Sequence, residues 1–184
     1  ARLFKHHQLS SIDNTEVVKT LVSSGTSGQS NSVINLDREN SLNQIYALAR
    51  IVSSLTGKNR IPMLVIDSQS VVKDREMFSA RGAGILGFSM LSTKVEYALN
   101  ENMELDLDRV IKFSKKYHAE PILVFGFTYM IWEFFCKPLI KSGKSIDLDK
   151  AIFLHGGGWK KMTDSAVDNK EFKSAIKKIS GIER

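Results

Sequence analysis

Three short, uninterrupted apolar runs govern what this 184-residue chain can become: Ile61-Pro62-Met63-Leu64-Val65-Ile66-Asp67, Pro121-Ile122-Leu123-Val124-Phe125-Gly126 and Ala151-Ile152-Phe153-Leu154. A strand with one wet face alternates apolar and polar residues, so runs without alternation fit strands covered on both sides, as in parallel sheets. Helical patterns separate them. Asp37 or Ser41 starts a helix through Gln44-Ile45-Tyr46-Ala47-Leu48-Ala49-Arg50-Ile51-Val52, closed by Gly57. Asp106 or Asp108 caps an amphipathic helix carrying Val110, Ile111, Phe113, Ser114 and Tyr117. Tyr129 to Leu139 reads as a largely apolar helix ending near Pro138, and Asp168 or Asn169 opens a basic helix through Ile179, stopped by Gly181. The alternation predicts an α/β fold, a mostly parallel sheet flanked by helices on both faces. The Gly-rich stretch from Arg81 to Phe88 reads as a close backbone approach or as a loop leading into a strand.

With 42% hydrophobic and 25% charged residues, the 20.6 kDa chain suits one domain with a sizeable core. The formal charge of +6 and pI of about 9.4 favour anionic ligands. The cations are scattered among acids, however, and cluster only around Lys170, Lys173, Lys177 and Lys178. Without a stripe of Arg interleaved with aromatics, the pattern argues against nucleic acid as a partner. Pro121 to Cys136 is the one membrane-like stretch; it is shorter than the roughly 20 residues of a spanning helix and contains Gly126 and Glu133, so no membrane span is expected. The single cysteine, Cys136, allows no internal disulfide, and the start shows no charged-then-apolar leader, which together suggest a reducing, cytoplasmic setting. The start at Ala1 and the stop at Arg184 suggest a fragment of a longer protein.

Between Val17–Val22 and Val33–Leu36, which read as strands, lies Ser23-Ser24-Gly25-Thr26-Ser27-Gly28-Gln29-Ser30. A loop of hydroxyls and glycines offers many backbone N–H groups and hydroxyl donors without bulk or negative charge, and so can fold around a polyphosphate. It is not a P-loop, because the spacing differs and Gln29 stands where that motif has lysine. A plain Ser/Gly turn is the bland alternative. Further glycines follow the apolar runs, in Gly126-Phe127-Thr128 and Gly156-Gly157-Gly158, with Gly82-Ala83-Gly84 a third candidate. In an open α/β sheet such segments converge on the crevice beyond the carboxyl ends of the strands. Three successive glycines let a flat ring lie against bare backbone; the alternative is a turn into Trp159 and Lys160.

Other candidates are weaker. His155 is expected to be structural, and His6, His7 and His118 lack partners at metal-ligand spacing. Cys136 lies in the most apolar helix, where a thiol is buried and inert. Arg81 has two readings of equal weight, a contact to a phosphate or carboxylate and a surface salt bridge.

Three stretches carry a family resemblance: Ser23 to Ser30 with Leu36-Asp37 downstream, Phe78-Ser79-Ala80-Arg81-Gly82-Ala83-Gly84, and Leu154-His155-Gly156-Gly157-Gly158-Trp159-Lys160-Lys161. They resemble the adenylate-forming enzymes, the superfamily of acyl-CoA synthetases and phenylacetate-CoA ligases, and within it the acyl-protein synthetases of the bacterial luminescence fatty acid reductase. The resemblance implies part of the large N-terminal domain of such an enzyme. It implies ATP and Mg²⁺, with Ser23, Ser24, Gly25, Thr26, Ser27, Gly28 and Gln29 on the phosphates, Gly156, Gly157 and Gly158 on adenine, and Phe127 and Thr128 walling an acyl pocket. For Phe134 and Phe135 the core is preferred. The implied activity is activation of a fatty or other carboxylic acid to an acyl-adenylate, then transfer of the acyl group to a thiol of an acceptor protein such as an acyl-CoA reductase-like partner. The alternatives are an aryl- or acyl-CoA ligase of the phenylacetate-CoA ligase type and a non-catalytic scaffold. Relatives often have an acidic or small residue and proline where this chain has Gly158-Trp159. The family's acceptor cysteine and its later nucleotide-binding motifs match nothing up to Arg184, so the chain alone is expected to turn over slowly or not at all.

Overall fold

A computed structural model of the chain describes residues 3–7, 9–22, 32–73, 80–159 and 163–182. The chain separates into two compact units, Ala1–Leu55 and Thr56–Arg184.

The first unit holds a short helix α1 (Leu3–His6), a 3-10 turn at Asn14–Glu16, strands β1 (Lys19–Val22) and β2 (Val33–Leu36), and helix α2 (Arg38–Thr56). The two strands pair antiparallel, Lys19 opposite Leu36 and Val22 opposite Val33, with Thr20 Oγ1 donating to Asn35 Oδ1 at 3.1 Å across the ladder. Asp37 begins α2, its carboxylate accepting from the Asn40 N–H at 2.7 Å, and Gly57 ends it at φ +70°. The expected strands and helix are therefore present, β1 starting two residues later than the sequence suggests. Ser23 to Gln29, the expected phosphate loop, lie outside the described residues.

The second unit is built on a four-stranded sheet, order β4-β3-β5-β6, in which every neighbour is parallel. The strands are β3 (Ile61–Ser68), β4 (Ser92–Leu99), β5 (Ile122–Phe127) and β6 (Ala151–Gly156). All eight residues of β3 are buried, which is why its sequence shows no alternation. Side chains still sort by face. Leu64, Ile66 and Val124 pack with Val110, Phe113, Ile131, Phe135 and Ile176, whereas Met63, Val65, Leu123 and Phe125 pack with Ile85. The first set of partners comes from helices α5 (Leu107–Tyr117), α6 (Thr128–Ile131) and α8 (Asn169–Ser180) and from the π-helical segment Trp132–Cys136, which leads into α7 (Lys137–Ser142); the second comes from α4 (Ala80–Ser89), which follows the short α3 (Ser70–Lys73). Asp106 and Asp168 cap α5 and α8 through bonds from the Arg109 and Glu171 N–H groups.

Two expectations need correction. The stretch from Arg81 to Phe88 is not a loop but helix α4; the close approach is real, since a Cβ on Gly84 would stand 3.1 Å from Phe125 Cζ. The helix after β5 does not end near Pro138. It runs from Thr128 to Ser142, through a π-helical segment at Trp132–Cys136. Pro138 sits in the first turn of α7, directly after the π-helical turn that the Lys137 N–H closes onto the Trp132 carbonyl, a position where proline is tolerated.

The chain moves from β3 to β4 on one side and then crosses to β5 on the other. The winding therefore reverses between β3 and β5, and the crevice beyond their carboxyl ends is where ligands gather in such sheets.

Candidate functional site

Two polar clusters occupy the carboxyl edge of this sheet. The first forms where the winding reverses. Asp67, next to last in β3, is only 2% exposed, yet it carries a carboxylate. Its Oδ1 accepts from the Ser68 N–H at 2.9 Å and its Oδ2 lies 3.2 Å from Nε of Arg81, in the first turn of α4. Burial raises the Asp67 pKa above the usual carboxylate value, against the opposing pull of Arg81 and the Ser68 N–H. Tyr97 on β4 is also raised, by burial and then by the Asp67 charge. The Arg81 Nη1 donates to the Tyr129 hydroxyl at 2.8 Å and touches Met130 Sδ at 3.3 Å. The ion pair that the sequence left open as a surface bridge is thus an arginine clamped to a buried acid.

The second cluster joins the ends of β5 and β6. Strand β5 passes into α6 without an intervening loop, and this is possible because residue 126 is glycine: a Cβ there would stand 2.9 Å from Ile131 Cγ1 and 3.1 Å from Ile66 Cβ. Thr128, the first helical residue, is buried, and its hydroxyl reaches the Gly156 carbonyl at 3.1 Å and His155 Nδ1 at 3.0 Å. A hydroxyl has one proton. Donating it to Gly156, Oγ1 accepts from Nδ1–H, which leaves Nε2 as the acceptor of a neutral imidazole. The His155 pKa is lowered, first by burial and then by Lys173, in keeping with that neutral form. The ring lies 5.0 Å from that of Phe172, and a hollow of about 440 Å³ opens between β6 and α8, lined by Phe153, His155, Phe172, Lys173 and Lys177 among others.

The glycines after His155 are not alike. Gly157 has φ +79°, and a Cβ on it would fall 2.2 Å from Phe127 Cδ1, so both the turn and the packing demand glycine there. Gly158 has φ +58° and leads into Trp159, whose ring meets Trp132 and Phe172 edge-on at 6.2 Å. Gly156 is exposed and extended, with open space where a Cβ would go. Of the expected adenine shelf, then, the fold itself accounts for two glycines and leaves the third unexplained.

The structure brings Phe127 and Thr128 against Gly156 and Gly157. Phe127 packs in part against both cores, and its ring is 6.5 Å from Phe125, edge to face. Phe135 is fully buried and Phe134 packs against the same core, as expected. Cys136 is also fully buried, and burial pushes its thiol up to about 12, which makes it inert. Among the described residues no cluster of His, Cys, Asp or Glu is arranged to hold a metal ion, and no helix is long and apolar enough to cross a membrane. Sequence reading missed Asp67. A lone acid closing an apolar run and followed by serines was the available signal.

Fold and site together define a doubly wound α/β domain with polar side chains gathered at its switch point, the place where such units bind ligands. The chain belongs to the acyl-protein synthetase family LuxE, whose family model matches residues 1–184. Membership implies ligase chemistry in which an acyl group derived from a fatty acid is joined to a protein acceptor. No curated protein and no solved structure matches the chain.

Proposed function

We propose that this chain forms part of an ATP-dependent acyl-protein synthetase that works through an acyl-adenylate. The acid's carboxylate oxygen attacks the α-phosphorus of Mg²⁺-bound ATP and pyrophosphate leaves; a protein thiolate then attacks the acyl carbonyl and AMP leaves. The protein's part in the first step is to neutralise phosphate charge and align two reactants, which needs donors and shape rather than a covalent protein intermediate. Ser23, Ser24, Gly25, Thr26, Ser27, Gly28 and Gln29 supply donors to the phosphates. Gly156, Gly157 and Gly158 receive adenine, and Phe127 and Thr128 wall the acyl group.

The observation that carries this reading is Gly156: inside a family of acyl-protein synthetases, a strand ends on an exposed glycine that neither backbone angle nor packing requires, beside a neutral histidine with an acceptor nitrogen. A bare edge of this kind, with no charge on the residues that form it, suits a flat ring bearing an amino donor. Cys136, buried and with its thiol near 12, is not the acceptor. The test is calorimetric titration of the chain with an acyl-sulfamoyl-adenosine, an uncleavable mimic of the acyl-adenylate. Saturable heat and a raised melting temperature are expected, about 2.7 kcal/mol of stabilisation at a hundredfold excess over Kd. No heat and no shift would overturn the reading.

A further inference from the structure

The clamp formed by Asp67, Arg81 and Tyr129 has no part in the reading above, although it stands where the winding of the sheet reverses. Arg81 comes from α4, Asp67 from β3 and Tyr129 from α6, and the three meet beside Thr128. Burying a carboxylate at 3% side-chain exposure is costly, and here it fixes a guanidinium that is itself still 24% exposed. Of the five N–H donors, Nε faces Asp67 and Nη1 serves Tyr129; among the described residues no acceptor is found for Nη2. Helix α4 starts at Ala80, so its positive end lies at the same place. A rigid guanidinium fork recognises planar or tetrahedral oxyanions, and a fork whose orientation is already set loses little freedom in doing so.

We propose that Arg81, held by Asp67 and Tyr129, binds an oxyanion of the ligand at the switch point, either the carboxylate of the acid or a phosphate of the nucleotide. The identity of that oxyanion rests on the synthetase reading; the binding role of Arg81 does not. Asp67 is a positioning residue: it sets the angle of the guanidinium and touches no ligand.

The test follows the Nε–Hε signal of Arg81 in the ¹⁵N-labelled chain, assigned by its loss in Arg81→Lys. One sample is titrated with octanoate and another with Mg-ATP. A saturable shift is expected in one of them, and the arm that responds names the source of the oxyanion. Arg81→Lys, which keeps the charge beside Asp67 and so keeps the fold, is expected to weaken that ligand about tenfold because the fork is lost. Tyr129→Phe is expected to weaken it by a smaller factor. No shift in either arm, or equal affinity in Arg81→Lys, overturns the proposal. If the acyl-sulfamoyl-adenosine binds while Arg81 stays silent, this inference alone fails. If octanoate moves the Arg81 signal while the adenylate mimic does not bind, the adenylate reading alone fails.

Discussion

The ends of β3 and β6 lie on one edge of one sheet, yet they are built from opposite chemistry. At β3 a full negative charge is buried and answered by a full positive one, Asp67 against Arg81 at 3.2 Å. At β6 there is no net charge: a hydroxyl, a carbonyl and a neutral imidazole share two hydrogen bonds through Thr128. The difference teaches that a polar edge can be ordered in two ways. An ion pair gains orientation at the cost of desolvation, whereas a neutral triad leaves the backbone bare and approachable.

The sharpest way to break the comparison is Gly157→Ala. Its positive φ costs about 1–2 kcal/mol and displacing the Phe127 ring adds about as much, so a loss of about 2–4 kcal/mol is expected in a urea melt. Gly156→Ala, one residue earlier, meets open space at an ordinary φ and is expected to leave stability within about 0.5 kcal/mol. If the bare edge receives adenine, that variant loses about tenfold in affinity for the adenylate mimic, a cost of about 1.4 kcal/mol. Equal losses of stability in the two variants would erase the distinction between a glycine the fold needs and one it does not.

Asp67→Asn probes the charged end. Because the native pKa lies above the unfolded value of 3.8, the protonated form is the one folding favours: the stability Asp67 contributes is full below 3.8 and falls as pH rises through the native value. The neutral variant removes that pH dependence, so measured against wild type it is expected to gain as pH rises from 3.5 to 7 in melts, by up to about 1 kcal/mol. A markedly less stable variant at pH 7 would show the ion pair to be a net support. His155→Gln has the smallest effect and the opposite sign. The histidine pKa is lowered, so its contribution is present above 6.5 and is lost as pH falls through the native value. Wild type should weaken in melts below pH 6.5 more steeply than the glutamine variant, and parallel curves would remove His155 from the triad.

How much of this was legible in the sequence depended on whether a feature is local. Strands β3 and β5 announce themselves as apolar runs because they are buried on both faces, and β6, though a half-buried edge strand, still opens on the apolar run Ala151-Ile152-Phe153-Leu154. Strand β4 does not, since its residues Ser92 to Leu99 mix buried and exposed positions at a sheet edge. Helix α4 was hidden by Gly82, Gly84 and Gly87, each of which lowers helix propensity by about 1 kcal/mol relative to alanine; tertiary packing against Phe125 outweighs that. The π-helical segment was invisible because proline normally argues for a helix end. At the site, the glycine triplet could be seen but not divided into its parts, since only Phe127 reveals what Gly157 is for. The pairing of Asp67 with Arg81 and Tyr129 spans three elements and has no spacing signature at all.

The parallel order of the sheet has a consequence for how the chain comes to be folded. Met63 of β3 pairs with Leu123 of β5, and no shorter segment can supply that partner. A polypeptide emerging from the ribosome therefore carries the apolar run Ile61 to Ile66 half covered until some sixty further residues have been made. Contacts this distant in sequence slow folding, and the waiting strand is where newly made copies would first stick to one another.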